Sequence, residues 1–259
     1  MRRFAILLLA LGACLYSVQT LADDNCGDGY TTANFKRSDL VKIKAHVNAV
    51  VAALGTAPAP YAKDNENWDL PTYACQGKGG FRPINTTYNV ALTTDAQQQK
   101  LGAEYQKKIL AAEARGDMQA VMKITQEMQS EALKQSAASQ ANTPVNIEIR
   151  TNNGDSMTID PGAVVRDGKG FIVLRDSGAD VSSGTESVTA YFDKQVLKDA
   201  EDAVTFDESG DIVVPGRLDT ISVRIRVSGP KAVVEAMFKK MDSGKVLGQL
   251  SEKRTRLKD

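Results

Sequence analysis

The stretch Thr220-Ile221-Ser222-Val223-Arg224-Ile225-Arg226-Val227 alternates apolar and polar residues more regularly than any other part of this chain. Successive side chains of a strand point to opposite faces, so this pattern predicts a strand with one buried and one polar face. Pro230 follows the stretch and favours the start of a helix. We predict that this helix ends at Gly244 and packs on the buried face through Val233, Val234, Met237, Phe238 and Met241.

Further strands are predicted on the N-terminal side of this stretch, which makes residues 145–259 a β-rich C-terminal domain. Alternating or apolar runs between turn residues place these strands at 145–150, 156–159, 163–166, 171–175 and 186–192. Asp193 is placed to cap a short helix that runs to about Asp202. An antiparallel meander with a covering helix is the simplest architecture, and an open sheet and a sandwich both fit the pattern.

Residues 93–141 predict a helical hairpin at the centre of the chain. Thr94 and Gln97 form a capping-box pattern, and the following sequence is rich in Gln, Glu, Ala and Lys, which favour helices. Gly116 and Asp117 resemble a helix C-terminus followed by a new N-cap, which favours two antiparallel helices over one continuous helix. The tail of this stretch ends at Pro144 and is typical of a linker, so a domain boundary is predicted there.

Residues 23–92 predict a small N-terminal region of helix and loops. Ser38 is placed to cap a helix that ends just before Gly55. The residues 86–92 predict a short strand. Prolines between these two elements favour extended or turn structure there.

Cys26 and Cys75 are the two cysteines that remain after the N-terminal leader. In an oxidising compartment an isolated pair of this kind predicts a disulfide, and two separately buried thiols are the alternative. The predicted fold class is α+β. It consists of a disulfide-linked N-terminal region, a central helical hairpin and an antiparallel β-rich domain with a covering helix.

The first 22 residues have the layout of a signal peptide. Arg2 and Arg3 precede an almost unbroken apolar run from Phe4 to Leu15, and Ala22-Asp23 follows as a cleavage site with small residues before it. The apolar run is short for a membrane span, which needs about 20 residues. We therefore predict a protein that is exported to the periplasm or secreted, with no membrane span after cleavage; an uncleaved anchor helix is the alternative.

A second processing site competes with the first. Leu11-Gly12-Ala13-Cys14 has the pattern of a bacterial lipobox, in which Cys14 would carry a lipid and anchor the protein to a membrane. Cleavage there would leave a leader of only 13 residues and an apolar mature N-terminus. Cleavage between Ala22 and Asp23 is therefore preferred.

Composition and motifs exclude several classes of function. The 259 residues carry 32 basic and 32 acidic side chains, so the basic excess that nucleic-acid binding requires is absent. His46 is the single histidine, which removes the usual base of a Ser or Cys nucleophile and the histidine-rich zinc sites. Asp23, Asp24, Asn25 and Asp28 lack the spacing of a calcium loop, and Gly77–Gly80 lacks the strand and helix of a phosphate loop.

The sequence thus predicts no catalytic, metal or cofactor residues. The preferred hypothesis is a non-enzymatic binding or structural module of a bacterial cell envelope, whose partner is another envelope protein. The alternative is a secreted hydrolase that uses carboxylates or a Ser/Lys pair. The oligomeric state stays open.

Overall fold

The computed structural model describes residues 26–27, 29–138, 143–176, 184–203, 205–207 and 212–257. In chain order its elements are β1 (Tyr30–Asn34), α1 (Arg37–Leu54), β2 (Ala62–Asp69), β3 (Tyr73–Gly77), β4 (Gly80–Phe81), β5 (Thr86–Thr93), α2 (Asp95–Glu113), α3 (Met118–Ala138), β6 (Val145–Thr151), β7 (Ser156–Thr158), β8 (Val164–Gly168), β9 (Phe171–Arg175), β10 (Thr185–Asp193), β11 (Thr205–Asp207), β12 (Ile212–Val213), β13 (Ser222–Pro230), α4 (Lys231–Lys240), α5 (Ser243–Gly248) and β14 (Thr255–Arg256).

Seven strands form one antiparallel sheet in the order β2-β5-β6-β13-β10-β9-β8. The strand predicted from the alternating stretch is β13, which lies at the centre between β6 and β10. Ile225 of β13 pairs with Ile149 on one side and with Ala190 on the other, so apolar residues form continuous rows across the strands. The α+β class with a large antiparallel sheet is confirmed.

Helices α1, α4 and α5 cover the apolar face of this sheet. Val47, Val50 and Leu54 of α1 and Val234 and Met237 of α4 are buried against the strands in one hydrophobic core. Their burial removes apolar surface from water, which is the main stabilising contribution to the fold. The helix predicted after Pro230 is therefore present and covers the sheet as expected.

The predicted end of this helix at Gly244 is wrong. Helix α4 ends at Lys240, because Met241 leaves the helical region (φ −61°, ψ 125°) and is buried in the core. Asp242 then accepts a hydrogen bond from the Lys245 backbone N–H and caps α5, so Gly244 lies inside a second helix.

The N-terminal residues form a small sheet, β1-β3-β4, next to α1. The Sγ atoms of Cys26 and Cys75 are 2.07 Å apart, which is the distance of a disulfide bond. This agrees with the pairing that the sequence predicts. Ser38 is not the cap of α1, which begins at Arg37. The Asp39 carboxylate accepts a hydrogen bond from the Lys36 backbone N–H at 2.8 Å, so an acidic residue in the first turn does the capping.

Strands from both sides of the predicted boundary at Pro144 pair with each other. Strand β5 belongs to the stretch 23–92 and lies directly beside β6 of the stretch 145–259. The edge strand β2 also comes from the N-terminal stretch and was not predicted. Both stretches thus contribute to one sheet. Their division into units that survive proteolysis separately stays a prediction.

The connection from β5 to β6 carries helices α2 and α3, which contact each other. Gly116 has a positive φ of 69°, and the Asp117 carboxylate accepts a hydrogen bond from the Ala120 backbone N–H, as the sequence predicts for this turn. The predicted capping box at Thr94 is wrong: Thr94 already has helical angles (φ −76°, ψ −27°), and its side chain makes no cap hydrogen bond.

The helix predicted after Asp193 is also wrong in part. The Asp193 carboxylate accepts hydrogen bonds from the backbone N–H groups of Gln195 and Val196, but turns follow it, and only Ala200–Asp202 forms a short 3-10 helix. Asp193 is almost fully buried and forms a two-point ion pair with Arg254, at 2.6 and 3.0 Å. This pair ties the C-terminal segment to the end of β10 and is fully satisfied, which indicates a structural role.

Candidate functional site

The second face of the sheet is open and polar on the strands β2, β5, β6 and β13. A concavity of about 500 Å³ lies on it, which we call the polar groove. Its lining includes side chains from all four strands: Asn65, Asn67, Asn89, Ala91, Asn146, Glu148, Arg226 and Ser228. Because polar side chains from four adjacent strands converge on the groove, it is the main candidate for a binding site.

Strand register arranges these side chains in two rows that cross the sheet. The first row contains Asn67, Asn89, Glu148 and Arg226, which pair successively across the four strands. The second row, two residues further along each strand, contains Asn65, Ala91, Asn146 and Ser228. Neighbours within a row are about 4.8 Å apart and the two rows are about 6.6 Å apart, as strand geometry dictates.

The asparagines of the groove have unused hydrogen-bonding capacity. Within the described residues, the carboxamides of Asn65, Asn67, Asn89 and Asn146 make no hydrogen bond to other protein groups. Each carboxamide has two N–H donors and an acceptor oxygen. The groove therefore presents donors and acceptors side by side, which suits an uncharged ligand that also carries both.

The Arg226 guanidinium closes one end of the first row. Its Nε donates a hydrogen bond to Ser187 Oγ at 3.1 Å and lies 2.9 Å from Asp176 Oδ2 in an ion pair, and Asp176 in turn accepts hydrogen bonds from Ser187 and Thr189. These contacts fix the side chain, which remains 53% exposed. Its terminal nitrogens make no other hydrogen bond in the described part of the chain, so they are available to an acceptor on a ligand.

Glu148, in the same row, belongs to a network of ion pairs. Its carboxylate accepts from Arg150 at 2.9 Å and from Arg224 at 3.0 Å, and Arg224 also binds Asp155 at 3.0 Å. The two guanidinium groups hold the Glu148 carboxylate in place on the floor of the groove, so the network orients this part of the first row.

Two buried tyrosines have raised pKa values: Tyr191 lies beside the network, and Tyr88 lies on the covered face of the sheet. Burial, with a contribution from the Asp155 carboxylate, raises the pKa of Tyr191 to about 12. Burial and the hydrogen bond to Glu66 raise the pKa of Tyr88 to about 12. Both phenols therefore keep their protons at neutral pH. They cannot act as general bases there, because a general base must be free of its proton.

The residues singled out by the sequence do not come together in one site. Cys26 and Cys75 are at disulfide distance in the small sheet. His46 lies on α1 under the sheet, and burial lowers its pKa from the ordinary value of 6.5. Cys14 and the predicted cleavage site Ala22-Asp23 lie outside the described residues, as do Asp24, Asn25 and Asp28. Gly77–Gly80 is the turn between β3 and β4.

Within the described ranges, no group of three or more His, Cys, Asp or Glu side chains is placed so that it could hold a metal ion. Among the described helices, none combines the length and the apolar character needed to cross a membrane.

Sequence reasoning missed the polar groove. The segment 62–69 shows no alternation, because its polar residues occur at both odd and even positions, and the sequence therefore predicts no strand there. Only the register of β2 against β5 shows that Asn65 and Asn67 stand beside Ala91 and Asn89. The repeated Asn residues in three separate strands were the one available signal, and it has no meaning until the strands are paired.

Comparisons with protein-family models, curated proteins and solved structures find no match for this chain.

Proposed function

We propose that this chain is an exported, non-enzymatic binding protein of the bacterial envelope and that its polar groove holds an extended peptide segment of a partner protein. The observation that carries the proposal is the pair of rows with four unpaired carboxamides across adjacent strands. An extended peptide repeats every two residues at about 6.6 Å, which equals the separation of the rows. Its C=O and N–H groups match the acceptors and donors of the asparagines.

A glycan ligand is less well supported by the composition of the groove. Sugar rings commonly pack on aromatic side chains through their apolar faces, and none of the described lining residues is aromatic. Arg226 adds one well-oriented donor at the end of the first row, which suits a carbonyl or carboxylate of the bound peptide.

Two further features belong to this proposal. Helices α2 and α3 contact each other across the four residues that join them, and we interpret them as the antiparallel helical hairpin. Leu110, Met118 and Met122, close to the turn, are largely exposed.

Export by the leader 1–22 explains how Cys26 and Cys75 would become oxidised.

Export has a direct test in the N-terminus of the mature protein. N-terminal sequencing of protein recovered from the envelope fraction is expected to start at Asp23. A lipidated start at Cys14 would mean an anchored protein, and a start at Met1 would contradict processing altogether.

The binding proposal is tested by nuclear magnetic resonance with a pool of soluble random-sequence heptapeptides as the probe. We expect the backbone amide resonances of Val90 and Ile147, which also line the groove, to shift, and the shifts to disappear in the variant Asn89→Ala/Asn146→Ala. Asn48→Ala, at an exposed position of α1, is the matched control and should behave like the unmodified protein. Shifts caused by soluble envelope oligosaccharides and not by peptides would overturn the peptide assignment.

The hydrolase alternative has its own test. Turnover of peptide, glycan or ester substrates that is abolished by Glu148→Gln would show that the groove is catalytic and would contradict the proposal. We expect no turnover that depends on this residue, because its carboxylate is already engaged by Arg150 and Arg224.

A further inference from the structure

A polar cavity lies on the covered face of the sheet. It has a volume of about 210 Å³ and lies between α1 and the end of the sheet where β5 begins and β6 ends. Five polar side chains line it: Lys42, His46, Thr86, Thr151 and Thr220. The remaining wall is apolar and consists of Ile43, Val47, Ile84 and Leu218.

Two polar atoms of this cavity are buried and have no hydrogen-bond partner. They are Nε2 of His46 and Oγ1 of Thr86. Thr86 is 2% exposed, and Thr151, its cross-strand neighbour, is 3% exposed. A buried polar atom without a partner loses its hydrogen bonds to water and gains none in return, so such atoms usually have a ligand or an ordered water.

The chemistry of the lining selects the type of ligand. All five polar groups can donate a hydrogen bond, and Lys42 adds a positive charge at the exposed end. No carboxylate is among the described lining residues, so the cavity lacks the oxygen ligands that a cation needs. An anionic head group therefore fits the polar side of the cavity.

The size and the apolar wall define the rest of the ligand. The cavity is below the range of about 300–1,000 Å³ that is typical of sites for drug-sized molecules. Ile43, Val47 and Ile84 can pack against a short hydrocarbon tail. We propose that this cavity is a binding site for a small aliphatic monocarboxylate, whose carboxylate is held by Thr86, His46 and Lys42.

This site is separate from the polar groove, because Thr86 points to the covered face and the groove lies on the opposite face of the same strands. Alternation along β5 places Thr86, Tyr88 and Val90 on the covered face and Thr87 and Asn89 on the other. Occupation of the cavity and peptide binding in the groove can thus succeed or fail independently.

The test uses butyrate as the probe and butyramide, its uncharged amide, as the control ligand. The imidazole resonances of His46 are recorded during a titration of the full-length protein. We expect a saturable shift with butyrate and at least a tenfold weaker response with butyramide. Equal responses to both ligands, or no response to butyrate, would overturn the assignment of the cavity to a carboxylate.

A matched pair of variants locates the binding. Thr86→Val keeps the side-chain shape and removes only the hydroxyl, so we expect butyrate affinity to fall by about tenfold, the effect of one hydrogen bond to a charged group. Thr87→Val makes the same change at the neighbouring residue on the opposite face and should leave the affinity unchanged. If Thr86→Val raised stability and left butyrate affinity intact, the unpaired hydroxyl would be a packing defect and the proposal would be wrong.

Discussion

The two faces of the seven-stranded sheet are made by alternate residues of the same strands, yet they have opposite characters. On the covered face, Ile149, Ile225 and Ala190 stand in one row and are fully buried beneath helices. On the open face, the next row contains Asn89, Glu148 and Arg226. One alternating pattern thus places the core on one face and leaves the other face open and polar, where we propose that a partner binds.

The largest effect is expected from the covered face. Ile225→Ala removes a fully buried side chain at the centre of the sheet and should lower the free energy of unfolding by about 4 kcal/mol. Arg226→Ala, one residue further on, removes a half-exposed side chain whose ion pair contributes little, about 1 kcal/mol or less. Urea unfolding of the two variants measures the contrast. Similar losses for both would show that the open face also holds the fold together.

The disulfide should give the next largest effect. Replacing Cys26 and Cys75 by serine should cost about 3 kcal/mol, because the unfolded chain loses a long covalent loop. The affected small sheet supports α1, which covers the apolar face, so the loss is expected to expose that face first. Hydrogen exchange measures this order.

Thiol labelling tests the pairing itself. In the unmodified protein both cysteines should resist labelling until they are reduced, and immediate labelling would contradict the pairing.

A smaller effect is expected from His46, which lies on α1 and is largely buried against the sheet. Burial lowers the pKa of its imidazole in the folded state, so the unfolded chain binds a proton more readily. The free energy of unfolding should therefore fall as the pH drops below 6.5, the ordinary value for histidine. Unfolding in urea at a series of pH values tests this. The variant His46→Gln should show a flatter profile, and an identical slope in both proteins would exclude His46 as the cause.

The smallest effect on stability is expected in the groove. Asn89→Ala/Asn146→Ala removes side chains that contact no other described residue through hydrogen bonds, so the free energy of unfolding should change by less than about 0.5 kcal/mol. Thermal unfolding with Asn48→Ala as the control checks this. A marked loss of stability would mean that the carboxamides support the sheet.

The covered face could be predicted from the sequence in some detail, since burial imposes a regular pattern. The alternation at 220–227 indicated β13, and the apolar spacing after Pro230 indicated α4. The end of α4 could not be predicted, because Met241 is apolar and fits a helical pattern although its backbone is extended. Tertiary packing determined that boundary.

The open face could not be predicted in the same way. Strand β2 is an edge strand with Trp68 as its one large apolar residue, so burial imposes almost no pattern on it. The rows of the groove depend on pairing between residues far apart in the chain, such as Asn89 with Glu148. Local patterns contain no information on that register, because it is set by the strands as they assemble.

The most direct test of the binding proposal is the affinity of the groove for a peptide selected from the heptapeptide pool. Calorimetric titration should give an affinity for Asn89→Ala/Asn146→Ala that is at least tenfold weaker than for Asn48→Ala, with equal thermal stability of the two variants. A tenfold change corresponds to about 1.4 kcal/mol, which is the contribution expected of one or two hydrogen bonds. Equal affinities in the two variants would contradict the assignment of the polar groove as the binding site.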